Sequence, residues 1–212
     1  MTKPLALLGG TFDPVHNAHL RVAWEAAEAL DAEVRLMPAN VPPHRAAPVA
    51  SAAQRVALLK AALAGQSRLQ LDARELRRDQ PSYTIDTLRE LRIEEGQTRP
   101  LILLVGADAF AELASWREWK ALFELAHFAV LTRPGHSGCR GELAAEIAAR
   151  RVTAPESLRA RPHGKVLDLD VSHLEISASI VRALLAAGRE PRWLVPEALL
   201  ADHSLLAPYR RS

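Results

Sequence analysis

The chain has 212 residues, 49% of them apolar and 25% charged, with a formal net charge of +2. A chain of this length can bury roughly 70% of the surface its unfolded form exposes, enough for a single domain without a covalent staple. The near-neutral charge and scattered arginines argue against a dedicated nucleic-acid surface, and Cys139, the only cysteine, excludes a disulfide framework and a Cys-rich zinc site. In chain order, Leu5-Ala6-Leu7-Leu8 reads as a buried strand ending at Gly9-Gly10. Residues 16–30, rich in Ala and Leu and free of Gly and Pro, read as a helix. Val34-Arg35-Leu36-Met37 is a second strand, stopped by Pro38. Ser51 is an N-cap for a helix over 52–64, with Val56, Leu59 and Leu63 on one face and Gly65 as its stop.

Leu69-Gln70-Leu71 is a short strand, and residues 84–95 form a helix with Ile85, Leu88 and Leu91 spaced by three. Residues 101–105 are the clearest buried strand, ending at Gly106; residues 128–131 are another, ending at Arg133-Pro134-Gly135. Residues 134–164, with several Gly and Pro, are predicted as the most irregular connection. Residues 166–169 form the last strand, and closing helices start near Ser177 and Pro196. Strands alternating with helices predict an α/β, Rossmann-like doubly wound fold. Its sheet would be mostly parallel with helices on both faces, in a single domain over 1–212 with a small helical portion over about 177–212. Such sheets bind ligands beyond the carboxyl ends of their strands, which directs attention to the loops after Leu8, Met37, Val105, Leu131 and Leu169.

The first of those loops is the richest. Gly9-Gly10 allows close approach of a ligand or a positive φ, though alone it equally fits a tight strand-to-helix turn. His16 and His19 lie three apart at a helix start, where free N–H groups and the helix dipole favour an anion. Near the other end, Ile176-Ser177-Ala178-Ser179-Ile180-Val181-Arg182 opens a helix with Ser177 as N-cap and Gly188 as its end. Ser179 and Arg182 share a face there, a hydroxyl and a guanidinium beside a second helix N-terminus. Taken alone, that stretch also fits a capped surface helix.

Together the two segments resemble the nucleotidyltransferase superfamily. Gly9-Gly10-Thr11-Phe12-Asp13-Pro14-Val15-His16-Asn17-Ala18-His19-Leu20 is similar to its HxGH-type signature, with Ala18 where glycine is usual. Residues 176–182 are similar to its Ile-Ser-Ser-Thr-x-x-Arg motif, with Ala178 and Ser179 replacing Ser and Thr. Between them come Pro42-Pro43-His44-Arg45, Pro81-Ser82-Tyr83-Thr84, Gly106-Ala107-Asp108, Trp116 and Arg133-Pro134-Gly135, a series resembling the bacterial nicotinate mononucleotide adenylyltransferase family over essentially the whole chain.

That resemblance implies adenylyl transfer from ATP to nicotinate mononucleotide, giving deamido-NAD and pyrophosphate. It implies ATP binding by Gly9, Gly10, Thr11, Phe12, His16, His19, Gly106, Asp108, Ile176, Ser179 and Arg182, with His16, His19 and Arg182 as the catalytic groups. It implies mononucleotide binding by His44, Tyr83, Thr84, Trp116 and Arg133. Mg²⁺ would ride on the nucleotide, with no metal held by the protein itself. The partners expected are ATP and nicotinate mononucleotide, with no nucleic acid; oligomeric state, including a homo-oligomer, is left open. No leader or apolar run of about eighteen residues is seen, so no membrane contact and a cytoplasmic protein are expected. The nearest rival is another superfamily member, such as a pantetheine-phosphate adenylyltransferase or a cytidylyltransferase, which would not need Trp116 or Tyr83-Thr84. A nucleotide sensor and an RNA-binding protein are weaker rivals, and a NAD-dependent oxidoreductase is disfavoured because no G-x-G-x-x-G follows a strand.

Overall fold

The computed structural model describes residues 3–40, 47–78, 81–132 and 141–210. Its strands are β1 (Leu5–Gly10), β2 (Glu33–Pro38), β3 (Leu69–Leu71), β4 (Leu101–Gly106), β5 (His127–Thr132), β6 (Arg151–Val152) and β7 (Val166–Asp170). The helices are α1 (Asn17–Ala29), α2 (Ala52–Ala62), α3 (Thr84–Glu95), α4 (Ala107–Ala111), α5 (Trp119–Leu122), α6 (Gly141–Arg150), α7 (Glu156–Arg159), α8 (Ala178–Ala186) and α9 (Glu197–Ala201). The strands form one sheet in the order β3-β2-β1-β4-β5-β7-β6. β4 pairs in parallel with β1 and β5, and β7 with β5 and β6. Strand order therefore reverses at the β1–β4 pair and runs outward on both sides as far as β3 and β5, with β7 and then β6 at the far edge, an α/β, Rossmann-like fold. Leu5 to Leu8 and Leu101 to Val105 are buried without interruption, so both faces of these central strands are covered.

The chain divides into two compact units. The first comprises Met1–Gly9, Glu25–Arg35 and Tyr83–Val171. Its core packs Phe128 of β5 against Phe110 and Phe123, with ring centroids 5.3 and 4.9 Å apart. On α3, Ile85, Leu88 and Leu91 are all buried, as their spacing predicts. Arg92 follows them into the interior, where its guanidinium donates to the carbonyls of Leu125, Gly96, Arg99 and Pro162 at 2.5–3.1 Å. Such a cation is tolerable inside because carbonyl dipoles replace its water.

His127, 0% exposed at the start of β5, is another polar group that the interior fully partners. Its Nδ1 accepts from the Lys165 amide at 3.0 Å, so the neutral ring carries its proton on Nε2, 2.9 Å from the Arg161 carbonyl.

The second unit comprises Gly10–Trp24, Leu36–Ser82 and Ser172–Ser212. Here α2 packs with α9, and α8 with the closing 3₁₀ turn Ala207–Tyr209. Ser51 caps α2 in a full capping box with Gln54. Ser177 caps α8 by accepting from the Ile180 amide, and Gly188 beyond its end takes φ +71°.

Two expectations need correction. On α2, Leu59 and Leu63 are buried as expected, but Arg55 and Leu58 complete the buried face and Val56 is only half-buried; apolar spacing alone admits Val56 because it discounts an arginine as a core residue. Within 134–164, the described residues are largely ordered as α6, β6 and α7. Leu143 and Ile147 anchor α6, a four-residue spacing that the flanking glycines and prolines obscure. Residues 133–140, with Arg133-Pro134-Gly135, lie outside the described residues.

Candidate active site

The residues after β1 are held by the local chemistry of the second unit. A Cβ on Gly10 would lie 2.9 Å from Phe12 Cζ, so the absent side chain is what lets the aromatic ring fold back on the strand end. Phe12 is itself in the left-handed region at φ +51°, a cost that its complete burial offsets. Its ring meets His19 edge-on, centroids 4.9 Å apart, and His19 stacks on His16 at 3.7 Å. α1 starts at Asn17, so His16 stands just before the helix and His19 in its first turn, and the pair is side by side as the three-residue spacing implies. Ala18, where glycine is usual, is an ordinary helical position of α1.

The two imidazoles differ in what they can donate. The His16 amide donates to His19 Nδ1 at 3.3 Å, which leaves the His19 proton on Nε2 as the group offered to a ligand. His16 Nδ1 is buried without a hydrogen-bond partner among the described residues, an arrangement that usually marks a ligand or ordered-water position. Burial pushes His16 down to about 4. It pushes His19 down to about 3, with the neighbouring His16 adding to the effect. Near neutral pH both rings are therefore uncharged donors, and the fixed positive charge comes from elsewhere.

It comes from Arg182 on α8. The guanidinium donates through Nη1 to the Asp13 carbonyl at 2.7 Å, and its Nη2 lies 3.5 Å from Ser179 Oγ. Ser179 is exposed in the first turn of α8, and Ile176 is half-buried just before it. The structure thus links Phe12, His16 and His19 in one stack, and Arg182 and Ser179 to the same loop through Asp13. Beneath, Arg55, 2% exposed, donates to the carbonyls of Thr11 (2.9 Å) and Ala39 (2.7 Å). Sequence reasoning missed Arg55 and the bracing role of Asp13. Asp13 lies inside the first motif, but nothing in its spacing says what it holds.

In the first unit, Gly9 lies near the end of β1 and Gly106 ends its partner β4; both are exposed, and a Cβ on either would meet nothing within 4 Å. Open space over two strand ends at the reversal of strand order is where such sheets admit a ligand. Asp108 is exposed in the first turn of α4. Tyr83 is the N-cap of α3 and makes no side-chain capping bond, so the first-turn N–H groups from Thr84 onward are not claimed by a cap. Arg117, a cation the sequence reading did not single out, lies 5.0 Å over the Tyr83 ring and 3.5 Å from Asp86. Trp116 beside it is half-buried, and among the described residues its side chain has no hydrogen-bond or stacking partner. His44 and Arg133 lie outside the described residues.

Among the described residues no group of three or more His, Cys, Asp or Glu is placed to hold a metal ion, and no helix is long and apolar enough to cross a membrane. The histidines and arginine of the second unit are nitrogen donors, suited to phosphate oxygens and poorly suited to Mg²⁺.

Comparison with known proteins agrees with this chemistry. The family described as cytidylyltransferase-like matches residues 7–184. A relative from Marinobacter nauticus, named "Probable nicotinate-nucleotide adenylyltransferase", is 47% identical over 193 residues, 90% of this chain and 89% of its own. Relatives with the same name from Pseudomonas paraeruginosa and Dechloromonas aromatica are 48% and 44% identical, covering 99% and 100% of this chain and 100% of their own lengths. Among solved structures, the Plasmodium falciparum nicotinic acid mononucleotide adenylyltransferase complexed with NaAD superposes with a TM-score of 0.67 over 98% of this chain and 96% of its own. At 16% identity that likeness carries the fold alone. The chain belongs to the cytidylyltransferase-like family and, within it, to the nicotinate-nucleotide adenylyltransferases.

Proposed function

We propose that the chain transfers the adenylyl group of MgATP to nicotinate mononucleotide, releasing pyrophosphate and forming deamido-NAD, a step of NAD biosynthesis. The observation that carries this reading is the donor cluster of the second unit: a neutral His19 with its proton on Nε2, stacked on His16, and an Arg182 anchored on the same loop. In this proposal those three groups bind the triphosphate and neutralise charge on the α-phosphate and the departing pyrophosphate, with Ser179 and the start of α8 assisting. By resemblance, Gly9, Gly10, Thr11, Phe12, Gly106, Asp108 and Ile176 are the other residues proposed for ATP binding. The mononucleotide phosphate oxygen attacks the α-phosphorus in line; already ionised, it needs no general base, so catalysis is positioning plus electrostatics. Mg²⁺ enters as part of the substrate and shields charge on the phosphates. A phosphate beside the imidazoles would raise their pKa values from the depressed range.

For the acceptor, the uncapped start of α3 at Tyr83 and Thr84 fits the pyridine carboxylate. The open Trp116 ring fits stacking on the pyridine. His44 and Arg133 complete the proposed acceptor set by resemblance. A cytoplasmic setting suits a reaction on ATP. The test is pyrophosphate release by the purified chain with MgATP and, side by side, nicotinate mononucleotide, its amide and phosphopantetheine. Fastest turnover with the acid is expected; no turnover with either mononucleotide would sink the proposal, and turnover with phosphopantetheine alone would favour the rival.

A further inference from the structure

We infer that Tyr209 is a positioning residue for adenylyl transfer, acting through Asp13 on Arg182 and on the loop that carries His16 and His19. The inference rests on the adenylyl-transfer reading of that cluster. Tyr209 closes the last 3₁₀ turn, is 4% exposed, and donates its hydroxyl to Asp13 Oδ1 at 2.8 Å across 196 positions of chain. Burial and the Asp13 carboxylate push the phenol above its usual range, so it remains a donor at any working pH.

Asp13 is 5% exposed, and its carboxylate must find donors in the protein. Among the described residues it has three: the Val49 amide at 2.8 Å, the Ala50 amide at 3.0 Å and the Tyr209 hydroxyl. Its carbonyl, by contrast, receives Arg182 Nη1 at 2.7 Å, while the same nitrogen stays 3.9 Å from Oδ2. The division matters because Arg182 is a charged donor already close to a buried carboxylate. With the carboxylate satisfied by neutral donors, the guanidinium rests on the carbonyl and its remaining N–H groups stay available for phosphate. Remove the phenol hydroxyl and Oδ1 keeps only the Ala50 amide. The carboxylate then draws the guanidinium into a charge-assisted pair and away from substrate. Asp13 is also three residues before His16, so any turn of its backbone moves the imidazole pair.

A purely structural bond would lower stability and nothing else. The two roles separate in a double-mutant cycle with Tyr209→Phe, Arg182→Ala and the double variant, reading kcat, KM and Tm on the full chain. Positioning predicts that Tyr209→Phe lowers kcat about tenfold, with KM for the mononucleotide unchanged, as for a displaced charged hydrogen bond. In the Arg182→Ala background the same change should alter kcat by less than about twofold, while Tm falls equally in both. An equal kcat loss in both backgrounds, or a Tm loss with unaltered kcat, would overturn the inference. If wild type turns over neither mononucleotide, the function proposal fails instead, and the cycle is read as ATP affinity by calorimetry, with the same non-additivity expected. Should Tyr209→Phe not fold, it is made in the Asp13→Asn background, where no carboxylate is left to draw Arg182: its effect on kcat there should be less than about twofold, and a tenfold loss would overturn the inference.

Discussion

Consider adding one methyl group at Gly10. Its Cβ would sit 2.9, 3.1 and 3.2 Å from three ring carbons of Phe12, where comfortable carbon contacts begin at about 3.5 Å. Phe12 is 1% exposed and fixed at φ +51°, so the ring cannot swing into solvent and the strand end must shift. Overpacking of this kind costs about 1–3 kcal/mol. For a domain of this size each kcal/mol moves Tm by about 2–4 °C, so Gly10→Ala should melt about 4–8 °C low at the middle of that range. Because Phe12 supports His19 at 4.9 Å, kcat should fall as well. Gly9→Ala is the control: its Cβ meets nothing within 4 Å, so its stability should stay within about 1 kcal/mol of wild type. If ATP phosphates occupy that open space, its KM for ATP should rise. Thermal melts and a coupled pyrophosphate assay on both variants decide the matter. A Gly10→Ala protein with wild-type Tm and kcat, or two variants that melt alike, would refute the steric account.

His19→Ala should reduce kcat by about 10²–10³, as for loss of one preorganised donor; a near-wild-type rate of pyrophosphate release removes His19 from the mechanism. Acid should destabilise the fold through its neutral histidines. Folded-state values near 4 for His16 and His127 and near 3 for His19 lie below the unfolded 6.5, so the unfolded chain takes up protons first. Stability is then lost as pH falls from about 6.5 towards 4, and between pH 7.5 and 5.5 each fully buried histidine contributes about 1 kcal/mol. Urea titrations at those two pH values should show the fall, and should show less of it in His127→Gln; identical midpoints in wild type would contradict the assignment. Arg92→Met should lose about 3 kcal/mol or more in the same assay, because four carbonyls surrender their donor inside the first unit. An unchanged midpoint would mean that those carbonyls are readily rehydrated.

Much of the architecture is legible without coordinates because strands and helices announce themselves by local period and punctuation. Residues 84–95 and the Ser51 and Ser177 caps sit where apolar spacing and hydroxyl side chains place them. The missed helix α6 shows the limit of that method, since a short amphipathic stretch with two buried anchors is weak against glycines and prolines on either side.

The same division governs the site. His16, His19, Ser179 and Arg182 are legible because each pair lies within one turn of backbone, where spacing alone decides adjacency. Arg55, Asp13 and Tyr209 are not, because their roles depend on contacts across 44, 169 and 196 positions. The sequence by itself determined an α/β chain with a histidine pair at one helix start and a serine–arginine pair at another, since those are properties of neighbours in the chain. Only the tertiary structure decided that the imidazoles are held neutral, that a phenol from the far end of the chain donates to the buried Asp13 carboxylate, and that an arginine braces the loop beneath. Burial and long-range hydrogen bonding set all three, and neither leaves a periodic trace in the order of residues.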